Sequence, residues 1–166
     1  MSILHQRSSE RIMSIDPHSA REHAWLLSEN TKYRHGEADL ITLYHILCDP
    51  VLQPDIVLIE DQFVGINKKT ALALASAKGE IVGVCKVLMI PKIILINPLN
   101  WLRYHGLHAQ QKCYSKAYAK ALRKKVEKII RSNNPCIQNS FFILQYYLGR
   151  EKHNGHSESA TTTIKI

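Results

Sequence analysis

Between positions 81 and 150 the chain has a single acidic residue, Glu127, although the full 166 residues hold 14. The same segment carries 12 of the 22 basic residues, so its formal charge is +11, against −3 for residues 1–80 and zero for 151–166. A half with so little acid points to a polyanionic partner. Nucleic acid stands ahead of a membrane surface, because no Trp/Phe-rich amphipathic basic helix accompanies the charge.

Other absences narrow the class further. No apolar run approaches the ~20 residues that a membrane span needs, so a soluble domain without membrane contact is expected. Cysteine is sparse, with Cys48, Cys85, Cys113 and Cys136 forming neither CxxC nor a Cys-His pair at finger spacing, which argues against a zinc ribbon. The first 15 residues lack the apolar stretch of a secretory signal. An intracellular location, cytoplasmic or organellar matrix and not secreted, is therefore expected, with free thiols. Neither GxGxxG nor GxxxxGK[ST] occurs, so the usual nucleotide-binding turns are missing.

The apolar pattern divides the chain into a flexible segment 1–10, one domain over 11–150 and a flexible tail over 151–166. Arg11–Ile15 and His23–Leu27 read as antiparallel strands, with a third over Tyr33–His35 ended by Gly36. Helical spacing over Glu37–Leu47 stops at Asp49-Pro50. The uninterrupted apolar runs ending at Ile59 and Ile96 read as strands buried on both faces. Helices follow over Asn67–Val87, Lys112–Arg131 and Ile137–Gly149, with Gly79 and Gly83 sharing one face of the first and permitting close approach to a sheet or another helix. Strands first and strand–helix crossovers later give an α/β domain with a mixed sheet.

Chemistry collects at strand ends. Asp16 follows the first strand and Glu60, with Asp61 beside it, follows the fourth; on neighbouring strands the two carboxylates converge, and two hard oxygen ligands suit Mg²⁺ against phosphate. Asp61 points to the opposite side of its strand. Basic residues at 112, 116, 120, 123 and 124 continue one helix face, which favours DNA contact. His18 lies two residues from Asp16, within reach of a metal or a nucleophilic water, but reads first as an ordinary loop residue; His105 and His108 lack the neighbours of a zinc site, and Trp101 reads as a packing residue.

The blocks IMSIDPHS, VLIEDQF, LALASAKGEIVG, INPLNW, the Lys-rich helix and NSFFILQYY, in this order over roughly residues 11–150, resemble the RuvC-type Holliday-junction resolvases of the ribonuclease H-like superfamily. The resemblance implies a ribonuclease H-like mixed five-stranded sheet flanked by helices and a homodimer matched to branched DNA. It also implies Mg²⁺-dependent (or Mn²⁺-dependent) endonucleolytic cleavage of four-way junctions. Asp16 and Glu60 match the family's metal carboxylates. Asn139 and Cys136 stand where its C-terminal helix brings further acids, and His18-Ser19-Ala20-Arg21 stands where a Gly-rich loop is usual. The site expected from the resemblance is Asp16, Glu60 and Asn139. DNA would meet Phe63, Lys68 and Lys69 after the fourth strand, and Lys112, Lys116, Lys120, Arg123 and Lys124 on the basic helix. The alternative is an inactivated, resolvase-like DNA-binding or interaction protein without the last carboxylate.

Overall fold

The computed structural model describes residues 9–18, 22–61, 68–153 and 162–164. In chain order they form β1 (Arg11–Asp16), β2 (His23–Glu29), β3 (Lys32–Ala38), α1 (Leu40–Cys48), β4 (Ile56–Glu60) and α2 (Lys68–Val87). Then come β5 (Lys92–Ile96), α3 (Pro98–Tyr104), α4 (Lys116–Ile130), α5 (Pro135–His153) and β6 (Thr162–Ile164). The spatial order β3-β2-β1-β4-β5-β6 is the expected mixed sheet of five strands with a short sixth strand at its far edge. β1 pairs antiparallel with β2 and parallel with β4, and β4 pairs parallel with β5.

Alternation along the strands divides the core in two. Ile12, Leu26, Ile56, Leu58, Ile94 and Ile96 pack with Trp101, Val126, Ile130 and the apolar face of α5. Met13, Ile15, Leu27, Val57, Ile59 and Ile93 pack on the other face with Leu43, Leu47, Ile81 and Cys85 of α1 and α2. A fully buried large apolar side chain contributes about 1.5–3 kcal/mol, against about 0–1 kcal/mol for an exposed ion pair. The two apolar layers therefore dominate stability.

Several boundaries differ from expectation for local reasons. β3 runs through Gly36 instead of ending there, because its ladder with β2 continues to the His23–Ala38 pair; the Trp25 indole lies close over Gly36, where a Cβ would crowd it. α1 starts later, at Leu40, since Asp39 caps it by accepting from the Thr42 amide at 2.7 Å. A short helix, α3, lies between β5 and the basic helix, where no helix was expected, capped by Asn97 with Pro98 in its first turn. α4 begins at Lys116, capped by Ser115, so Lys112 lies in the turn before it. α5 continues past Gly149, whose missing Cβ makes room for the Tyr104 ring instead of ending the helix. Gly79 and Gly83 do not approach the sheet: they face outward with open space around them. Residues 162–164, expected in a loose tail, pair antiparallel with β5.

Candidate functional site

Strand parity and register bring the two carboxylates together. Asp16 shares its face with Ile12 and Ser14, and Glu60 shares its face with Ile56 and Leu58, so both point toward the α3–α4–α5 layer. Ile15 pairs with Ile59 in the parallel ladder, and Asp16 and Glu60 are the next residues of those strands. Both are buried, and each acts on the other's electrostatics. Asp61 has the opposite parity and pairs with Lys78 of α2 at 2.5 Å.

Small residues let α5 come close. The Ser14 hydroxyl donates to the Ser140 carbonyl at 2.7 Å, and the Ser140 hydroxyl donates to the Ala24 carbonyl at 3.3 Å. Asn134 fixes the start of α5 by accepting from the Cys136 amide at 2.8 Å, with Pro135 in the first turn. Asn139 is thereby set over β1, where its amide donates to Asp16 Oδ2 at 3.1 Å. Its oxygen accepts from Arg123 Nη2 at 3.1 Å, and Arg123 Nη1 donates to Gln138 Oε1 at 3.2 Å. From α3, the buried Trp101 donates its indole N–H to Glu60 Oε1 at 3.0 Å and stacks on Phe142. Burial pushes the Asp16 carboxyl above its ordinary value; hydrogen bonds with Glu60 and Asn139 and the charge of Arg123 act the other way.

No family model matches the chain. Over 95 residues, 56% of the chain, it is 30% identical to the crossover junction endodeoxyribonuclease RuvC of Caldicellulosiruptor saccharolyticus. The chain spans about half the length of that curated relative, 51%. The structure of Thermus thermophilus RuvC in complex with Holliday junction substrate superposes with a TM-score of 0.64 at 12% identity, covering 89% of this chain and 98% of that one. This chain has the RuvC-type, ribonuclease H-like fold. A second Thermus thermophilus RuvC structure agrees, with a TM-score of 0.60 at 11% identity over 86% of this chain and 96% of that one.

Within this RuvC-type frame, Asp16, Glu60 and Asn139 lie at one end of the sheet, but the groups they present do not suit a divalent cation. Hard cations need several oxygen donors, and carboxylates above all. Here the third position turns an amide N–H toward Asp16 and commits its oxygen to a guanidinium. Among the described residues no group of three or more His, Cys, Asp and Glu side chains could hold a metal ion.

The residues expected at DNA fare differently. Lys116, Lys120 and Lys124 are exposed one turn apart on α4, and Lys69 is exposed in the first turn of α2. Lys112 is exposed but lies off the helical row. Arg123, expected on the same outward face, is half-buried, with its guanidinium over the Phe142 ring at 5.6 Å. Phe63, Ser19, Ala20, Arg21 and the Lys68 side chain lie outside the described residues.

Sequence reasoning missed three neighbours of the site: Trp101 as a donor to Glu60, Arg123 as an inward cation, and the pairing of His18 with Cys136. The His18 ring nitrogen Nε2 lies 3.5 Å from Cys136 Sγ. Burial, followed by the charges of Asp16, Glu37 and Glu60, pushes the Cys136 thiol up, so it stays protonated at neutral pH. Among the described residues no helix is long and apolar enough to cross a membrane.

Proposed function

We propose that this protein binds branched DNA of the four-way-junction type, and that with its present side chains it holds the junction without cutting it. The observation that carries this reading is the meeting of Asp16, Glu60 and Asn139 at one end of the parallel strands in a RuvC-type fold, with an amide where cleavage chemistry calls for a further acid. Lys116 and Lys120 share the flank of α4 that Arg123 marks, at i, i+4 and i+7, so the basic row leads toward the carboxylates. Each phosphate neutralised along it adds salt-dependent affinity.

A homodimer fits the two-fold symmetry of a four-way junction. The outward face of α2, with exposed Leu72, Gly79, Gly83 and Val87, is the isologous surface we assign to it. We place the protein inside the cell with its DNA, where its thiols stay reduced.

A second reading, Mg²⁺- or Mn²⁺-dependent junction cleavage, is favoured by the contact between Asp16 and Glu60. One experiment separates the two. A labelled four-way junction and a linear duplex of the same sequence are incubated with the protein in Mg²⁺ or Mn²⁺, then run on native and denaturing gels. Selective retardation of an intact junction is the expected outcome. Nicks that disappear in Asp16→Asn establish the second reading, and equal affinity for duplex and junction removes the first.

A further inference from the structure

Two adjacent buried carboxylates require positive charge or many donors nearby, because burying an uncompensated charge costs several kcal/mol. Asp16 and Glu60 have both in the side chains of this chain. Asn139 bridges: it donates to Asp16 Oδ2 and accepts from Arg123 Nη2, each at 3.1 Å. Arg123 cannot swing freely toward solvent, since Gln138 Oε1 takes its other nitrogen and the Phe142 ring lies beneath it. Gln138 is itself held by donating to the Ser132 carbonyl at 3.1 Å. On the far side, Trp101 donates to Glu60 Oε1. Guanidinium is charged at every relevant pH, and its planar fork suits two oxygen acceptors at once.

We propose that Arg123, acting through Asn139, is the resident counter-charge of the carboxylate pair, so that the folded site is complete without a divalent cation and resists taking one. This rests on reading Asp16 and Glu60 as the fold's cation-facing pair, but not on DNA binding. Arg123 is a positioning residue here. It opposes cations in two ways: its charge repels them, and its hydrogen bond holds the Asn139 amide N–H turned toward Asp16.

The test uses the full chain, the metal ions alone and no DNA. Thermal unfolding is followed with chelator, with 10 mM Mg²⁺ and with 10 mM Mn²⁺ on wild type, Arg123→Gln and Asn139→Asp, while calorimetric titration records saturable binding. A ligand that binds only the native state raises Tm. Wild type is expected to show no saturable binding and a Tm change below about 1 °C, and each variant to gain a cation-dependent rise of about 3 °C or more. If Arg123→Gln does not fold in chelator but folds once Mn²⁺ is added, the counter-charge role is supported. Saturable Mg²⁺ binding by wild type that Asp16→Asn abolishes overturns the proposal. So does an Arg123→Gln variant that folds and is as indifferent to both ions as wild type. Junction retardation by the same preparations reports separately on the DNA reading.

Discussion

The Asn139 amide on α5 donates to Asp16 Oδ2 on β1 at 3.1 Å, joining residues 123 positions apart at the end of the sheet. The bond lets an amide sit where an acid would repel Asp16, and it ties the electrostatics of the site to stability.

Asp16→Asn is expected to raise Tm at pH 7. Burial raises the folded-state pKa of Asp16 above its ordinary 3.8, so the native state holds that proton more tightly than the unfolded chain does. The charged form therefore costs stability above that range, and the cost vanishes below pH 3.8, where both states are protonated. Thermal melts should show a gain at neutral pH. The gain should shrink to nothing in the most acidic buffers. Equal gains at every pH would show that packing, not charge, is responsible.

Trp101→Phe keeps a ring against Phe142 but removes the donor to Glu60 Oε1. Loss of the donor to a buried carboxyl oxygen costs about 1–3 kcal/mol, and the smaller ring adds a cavity cost. Urea unfolding should place the variant at least about 1 kcal/mol below wild type, with an unchanged m-value.

Much of this was legible in the residues. The runs ending at Ile59 and Ile96 are rich in β-branched residues and closed by acid or Asn-Pro, which marks buried strands whatever their partners. The period of two then sets Asp61 on the opposite side of its strand from Glu60. What stayed hidden depends on contacts between elements. Arg123 continues a basic row in sequence, and only the packing of Val126 and Ile130 rotates α4 enough to carry it inward. Trp101 sits on a seven-residue helix too short to show periodicity. β6 is three residues long, and its pairing with β5 comes from the sheet edge rather than from its own sequence.

Lys116, Lys120 and Lys124 are exposed and one turn apart on α4. Replacing all three with Gln should weaken binding to the junction and flatten its salt dependence. Each lost phosphate contact reduces the slope of log K against log[salt] by about 0.9. Fluorescence anisotropy across a salt series should therefore show a slope smaller by about 2–3. An unchanged slope would place the DNA elsewhere.

Acid should weaken the fold through two histidines. Burial is the main cause that lowers His23 and His105 below their ordinary 6.5, so each resists protonation in the native state. A lowered folded-state pKa means stability is present above 6.5 and is lost as pH falls below it, because the unfolded chain takes the proton first. His105 Nε2 meets the Phe142 carbonyl at 2.8 Å, which the neutral N–H satisfies. Tm measured from pH 8 to pH 5 should fall, and His105→Gln should fall less steeply.

The central claim is that the carboxylate pair is in place and one acid is missing. Its most direct measurement is cleavage of a labelled four-way junction in Mg²⁺ or Mn²⁺ by wild type, Asn139→Asp, and Asn139→Asp combined with Asp16→Asn, read on a denaturing gel. Wild type should retard the junction and leave it intact, Asn139→Asp should produce nicks, and the double variant should produce none. Nicking by wild type at the rate of Asn139→Asp would contradict the claim.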